Sequence, residues 1–398
     1  MSATTLARDL ARSRQAAGLP VFDGGLGENP VPAPQCLLNI ARKHVGTTTR
    51  YGNAAGSPAL QQLLHSDRVV VANGLRPLLF AVQLAFHNMY PESDIFHVVP
   101  FWVGYREQTD LLNIPAKSII PSDRIEYKIS ASDLDTALSG TTNTTNTPNT
   151  PHLVIFNHPC NPSGAAYSGR ELEALAKVFR KHKSIVFCDE IYSRLAHDDS
   201  NIPVLSDFYS RVICASSLSK ITGCGGWRFG WATFGPTLTK LHKAVLNTAC
   251  QVYTSPSPLW GRVAEYVLSE PPEFEAFVEF QRNTFRTVKQ RCVEQLKLTK
   301  LQATTSKAAW YFLLNFEAYR DHLKRFSIKN ATQLAATLAT DVGIIMVAGS
   351  AFGLCDDDLV LRLSFVAVDV NVEQQTFNAK KLDELLMQLR VWLRVIEH

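Results

Sequence analysis

An α/β architecture is what this 398-residue chain predicts: a mostly parallel sheet covered by helices, with a smaller α+β unit beside it. Three observations carry that expectation. From about residue 69, short β-branched or aromatic runs alternate with longer helical stretches. The runs are apolar throughout instead of alternating with polar residues, which marks strands buried on both faces. After a long helical region through roughly 240 to 296, strands return with shorter helices between them. The length suits two domains, or one large domain with a smaller partner.

The elements follow in order. "MSATTLARDLARSRQAAGLPV" carries Arg8, Arg12 and Arg14 among Ser and Thr, a composition that a transit segment shares. Asp9 interrupts the basic pattern, so the reading is a short amphipathic helix belonging to the fold. "RVVVANG" is a strand ending at Gly74, and "LRPLLFAVQLAFHNM" is the helix after it. "DIFHVVPFW" and "PHLVIFNHP" are strands, "GRELEALAKVFRKH" a helix, and "SIVFCDEIY" and "RVICASSLSK" strands again. "AAWYFLLNF", "VGIIMVAG" and "LVLRLSFVAV" are the strands of the smaller unit. Between Ser139 and Pro151, "SGTTNTTNTPNTP" is polar and uncharged and reads as a solvated spacer. Its NTT triplet could accept a glycan, but no signal peptide accompanies it.

Composition narrows the class of function. The net charge of +4, from 40 basic and 36 acidic residues, is too small and too scattered for nucleic acid. The longest basic cluster, "RKHK", reads as the solvated end of a helix. Eight cysteines lie apart, none as CxxC and several inside apolar runs, as buried thiols do in a reducing compartment such as the cytoplasm. No stretch approaches the apolar length of a membrane span. "CDDD" has neither histidine nor spaced acids beside it, so no metal centre is expected, and GxGxxG, GxSxG and P-loop spacings are absent.

Chemistry concentrates where strands end, which is where open α/β sheets hold ligands. Asn161 follows one strand in "FNHPCNPSG", Asp189 ends another in "CDEIY", and Ser217 and Lys220 end a third in "SSLSK". Gly74 ends a strand at a helix N-terminus. A single Asp there is more often a cap, and a single Lys is more often solvated. The combination and its order are more informative. In "SSLSKITGCGGWRFGWATFG", Lys220 and Arg228 stand among small, polar and aromatic residues, where a cation needs a partner.

Taken together, "YGNAAGSPAL", the NPxG turn, "DEIY", "SxSK", "WRFGW" and "LRLSF" resemble, in order and over nearly the whole chain, the fold type I pyridoxal-phosphate enzymes of aminotransferase class I/II. "SKITGCGGWRFGWA" and "LLHSDRVVVANG" are closest in style to the alliinase and tryptophan-aminotransferase-related branch. The resemblance implies a seven-stranded sheet in a large domain over residues 45–269. A small domain would be formed by 1–44 and 270–398. It implies pyridoxal 5′-phosphate as cofactor, an amino acid and a 2-oxo acid as substrates, and a homodimer.

The same resemblance assigns roles. Lys220 would hold the cofactor's aldehyde and then move protons as a base. Asp189 would pair with the ring nitrogen, and Tyr192 and Asn161 with the ring's phenolic oxygen. Arg228 would grip the phosphate in a fork, with Ser217 and the backbone amides from Gly74 through Leu75 to Arg76. Trp102 in "VPFWVGY" would stack on the cofactor ring, its alternative being a core tryptophan. Arg362 would bind the substrate's α-carboxylate, and Tyr51 would reach the phosphate of the neighbouring subunit.

Three departures bear on substrate. Leu75 and Arg76 follow the phosphate glycine, so the Arg76 side chain points either to phosphate or to solvent. Ala348 stands where relatives usually carry proline, and "TSKAAWYF" lacks the usual glycine before its aromatic pair. The function expected is an L-amino acid aminotransferase for aromatic or other hydrophobic donors. A pyridoxal-phosphate lyase of the C–S β-eliminase kind, a cyclase, and a non-catalytic sensor are the alternatives.

Overall fold

The computed structural model describes residues 3–140, 150–198 and 201–398. Most of the polar run after Ser139 lies outside the described residues. Seven strands form one sheet in the order Val69–Ala72, Gly230–Phe234, Val212–Ser217, Ile185–Asp189, Leu153–Asn157, Ile95–Val98, Ala116–Ile119. Five neighbouring strands run parallel, and Gly230–Phe234 is antiparallel to both of its neighbours.

The apolar runs are explained by two cores. Ile155, Phe187 and Ile213 point into one, while Val154, Phe156, Val186 and Val212 point into the other. Successive side chains alternate between faces, and here both faces are covered, so the central strands are apolar over most of their length. Helix Leu75–Met89 packs against Thr239–Tyr253 over the first core, and Gly169–Lys181 covers the second. The latter helix begins with a reciprocal cap in which Ser168 and Glu171 satisfy each other's backbone amides.

Two strands escape the pattern reading. Ala116–Ile119 is a four-residue edge strand with Lys117 in its centre. Gly230–Phe234 hides in the glycine- and tryptophan-rich run after Lys220. The long helical region is three helices, Thr239–Tyr253, Pro258–Leu268 and Pro272–Leu296, the second and third each beginning at a proline.

The smaller sheet is antiparallel, ordered Val347–Ala348, Val360–Ser364, Tyr311–Asn315, Gln302–Ala303. The N-terminal helix Ala3–Ala16 belongs to the fold as expected: Ala11 packs with Ala339 and Ile345, and Arg14 donates to the Thr340 carbonyl at 3.1 Å. After it, Phe22–Asp23 pairs with Ile344–Ile345, and residues 24–29 run on as a strap over the strand ends of the large sheet. Ala309, directly before Trp310, has φ of 62°, a conformation that favours glycine. An alanine is strained in that conformation.

Candidate functional site

The register of the parallel strands sets Asn157 opposite Asp189, and Asp189 opposite Ala215, two residues before Ser217. Their ends open into a cavity of about 450 Å³, roofed by the strap residues Gly25–Glu28 and walled by Tyr311 and Arg362 of the smaller sheet. Nearly every residue singled out from the sequence lines it: Leu75, Arg76, Trp102, Asn161, Asp189, Tyr192, Ser217, Lys220, Arg228 and Arg362. Gly74 lies just behind the wall. Tyr51 does not reach the cavity and is 91% exposed.

Asp189 is buried, and burial pushes its carboxyl up to about 6 against the opposing pull of Tyr105, the Ile191 amide and Lys220. The Tyr105 hydroxyl donates to it at 2.5 Å, and the Asn157 amide donates to its carbonyl at 2.9 Å. Burial, and next the adjacent Asp189 charge, lift the Tyr105 phenol well above its ordinary range, so it stays a donor.

Lys220 sits one turn past the end of its strand, its ammonium donating to the Gly27 carbonyl and 5.9 Å from the centre of the Tyr192 ring. The strap is fastened to this turn, since Asn29 donates to the Lys220 carbonyl at 2.6 Å and to Gln281 at 2.7 Å. Tyr192 is buried with its hydroxyl 2.9 Å from that of Tyr311, and Tyr311 in turn donates to Gly27.

Arg362 is only 1% exposed. It donates to Asn161 Oδ1 at 3.0 Å and to the Gly25 carbonyl at 2.6 Å, and lies between the rings of Tyr311 and Phe352. Its Nε has no hydrogen-bond partner among the described residues. Among the described residues no carboxylate stands within ion-pair distance of it, Asp23 acting on it only from farther off. A buried guanidinium with a spare donor is set to receive an anion.

Arg228 adopts a left-handed backbone, φ 54° and ψ 60°, the kind of strain that clusters at ligand sites. Its guanidinium donates to the Gly225 carbonyl at 2.8 Å and lies flat against Gly74, where a Cβ would stand 2.2 Å from Nη2. Gly74, at φ 91°, therefore opens the first turn of Leu75–Met89 to Arg228. Of the glycines near Arg228, Gly223 serves the segment that follows the strap. A Cβ there would stand 1.9 Å from the Val31 carbonyl, so it lets that segment approach the lysine turn.

The Arg76 side chain is half-exposed on the cavity lining, its guanidinium over the Trp102 ring, 4.6 Å from the centre. Trp102 meets Tyr105 edge-on at 5.6 Å. Pattern reading missed Tyr105, Asn157, Tyr311 and the strap residues Asp23 and Glu28. Asn157 carried the same signal as Asp189, a polar residue at the end of an apolar strand. Tyr105 stood three residues after Trp102, one helical turn away.

The residues suit pyridoxal 5′-phosphate: a buried carboxylate and a lysine share one cavity with an arginine laid on a glycine at a helix N-terminus. Comparison with known proteins agrees. The asparagine–oxo-acid transaminase of Streptococcus mutans is 25% identical over 392 residues, covering 92% of each chain. The aspartate aminotransferase of Geobacillus stearothermophilus is 27% identical over 383 residues, covering 92% of this chain and 91% of its own. The crystal fold of Thermus thermophilus aspartate aminotransferase with maleate superposes with a TM-score of 0.83 at 22% identity, covering 98% of this chain and 96% of that one. Residues 25–374 match aminotransferase class I and II, and the chain belongs to that family of pyridoxal-phosphate enzymes.

Proposed function

We propose that this enzyme transfers the amino group of an L-amino acid with an aromatic or other hydrophobic side chain to a 2-oxo acid. The observation that carries the reading is the convergence of Lys220, Asp189 and the anion-ready Arg362 on one cavity. Bound there, the cofactor would supply an electron sink that makes the proton on the substrate's Cα labile. Asp189, kept in the cavity floor by Tyr105 and Asn157, would hold the positive charge at the ring nitrogen. Lys220 Nζ would be the base that takes the Cα proton and delivers it to the carbon that had been the cofactor's aldehyde. Arg362, steadied by Asn161, would orient the α-carboxylate, and Tyr192 with Tyr311 would hydrogen-bond the ring's phenolic oxygen. Arg228 and Ser217 would anchor the phosphate with the amides after Gly74.

Leu26, Leu75, Trp102 and Ile191 on the cavity wall support a hydrophobic donor. The relatives named for aspartate, asparagine and prephenate exchange support transfer over elimination. All eight cysteines are unpaired, which agrees with a cytoplasmic site of action. The test is a panel of amino acids with and without 2-oxo acids. Keto acid formed only with an acceptor is the expected result, with phenylalanine-like donors fastest. Pyruvate and ammonia released without an acceptor would make the protein a lyase, and preference for aspartate would overturn the donor class.

The fully exposed position of Tyr51 supports a two-fold dimer in which it reaches the neighbouring cavity. Mixing Tyr51→Ala with Lys220→Ala protein should then restore activity. In mixed dimers one site carries both lesions and the other none, so an equal, freely exchanged mixture should regain roughly a quarter of wild-type activity. Exchange without recovery would place Tyr51 outside the neighbouring site.

A further inference from the structure

The last helix, Lys380–Glu397, lays Leu382, Leu385, Leu389 and Ile396 into the core it shares with the smaller sheet. At 3.6 residues per turn, the direction opposite Leu389 is the one a surface helix ordinarily gives to charged residues. Met387 and Val391 instead fall within roughly 20° of that direction, one on either side. Val395 extends the stripe by one more turn, and the three are 51%, 51% and 60% exposed. The core accounts for the inner apolar face of this helix. The outer stripe, at i, i+4 and i+8, is left uncovered by the described residues.

The charges beside the stripe decide what fits it. Asp383 and Arg394 are eleven residues apart, three turns, and so stand on one flank of the stripe. Arg394 is exposed and enters no ion pair among the described residues. Asp383 is fixed by Arg291, which donates to its two oxygens at 2.5 and 2.6 Å, and each oxygen keeps a lone pair for a further donor. When two copies of one helix lie antiparallel about a two-fold axis, each flank faces its own copy. Met387 of one copy set against Val391 of the other then brings Asp383 to Arg394 at both ends, since the two pairings share a centre to within one residue. Sliding the pair by a turn undoes the charge match.

We propose that the outer face of Lys380–Glu397 is a self-association surface, on which the same helix of a second copy docks antiparallel. None of its residues lines the cavity, and it shares no element with the surface on which Tyr51 stands. It therefore joins enzyme units into a larger assembly without completing the site. Its few aliphatic side chains and two ion pairs make a contact below the roughly 800 Å² per partner of a stable interface, so the association depends on concentration.

Sedimentation velocity of the full-length holoenzyme between about 1 and 200 μM tests this. The species present at low concentration should at least double in mass toward the top of that range. In the double variant Met387→Glu, Val391→Glu, with folding checked by thermal melting, the midpoint should rise at least about tenfold while turnover stays as in wild type. Arg394→Glu, which sets like charges together, should also weaken the association, and Arg394→Lys should retain it. Arg394→Glu carries the test alone if the double variant does not fold. Tyr51→Ala should leave the gain of mass in place. No gain in the wild type, as for a face that meets a different protein or none, overturns the proposal. So does a gain that the double variant keeps, and an Arg394→Glu protein associating as wild type overturns the antiparallel register.

Discussion

Lys220→Ala is expected to remove at least about 10⁴-fold of the transamination rate while leaving the protein folded. The side chain is half-buried at the cavity, and among the described residues its only hydrogen bond is to the Gly27 carbonyl. The fold does not hang on that ammonium, since the strap stays fastened through Asn29 to the main-chain carbonyl of residue 220 and to Gln281. The loss therefore falls on chemistry: among the described residues no other amine lines the cavity to bond the aldehyde or carry the Cα proton. Borohydride treatment followed by mass measurement of the labelled peptide checks this directly. A reduced cofactor adduct elsewhere in the Lys220→Ala protein, with turnover retained, would sink the assignment.

Asp189→Ala should cost about a thousandfold in turnover, the loss that follows removal of one member of a buried ion pair. A pH signature accompanies it. In the free protein, burial raises the Asp189 carboxyl to about 6 from an unfolded value near 3.8. The group is neutral below that value and charged above it, so folding becomes less favourable as pH rises through the window between them. A cofactor whose ring nitrogen is positive binds the charged form. Its affinity should fall about tenfold per pH unit as the pH drops below about 6, provided the bound carboxyl stays ionised. The titratable groups coupled to this carboxyl are Tyr105, Tyr192, Cys160, Cys188, Lys220 and Glu190. Burial raises the phenols and thiols, so they keep their protons there, whereas burial lifts Glu190 to about 7. Glu190→Gln, which should keep the slope, is the control. In Asp189→Ala the low-pH slope should vanish. A slope that persists in the variant would assign the titration to another group and reduce Asp189 to a structural anchor. Tyr105→Phe gives a graded check, since loss of its hydrogen bond should move the midpoint upward without abolishing it.

The sheet was legible in the sequence because its evidence is local. Apolar runs of strand length, helices between them and polar residues at the strand ends are properties of short windows, and Asp189, Ser217 and Lys220 could be placed by them. The resemblance then supplied Trp102, Arg228 and Arg362 as partners. Windows failed where one signal was masked by another. Gly230–Phe234 was hidden by glycines whose tasks lie elsewhere, and the short edge strand Ala116–Ile119 carries a lysine in its middle.

What the residues determined by themselves was an α/β sheet covered on both faces, with a lysine and an acid at the ends of its strands. Only the tertiary structure decided what those groups touch. Arg362 meets Asn161 across 201 residues and Gly25 across 337, and Tyr192 meets Tyr311 across 119. The Arg76 side chain settled on Trp102. The physical reason is that alternation along a strand sets which face a side chain takes, whereas its partner is set by how the smaller sheet and the strap fold back over the strand ends. That return depends on the packing of both cores together, and no short stretch of sequence encodes it.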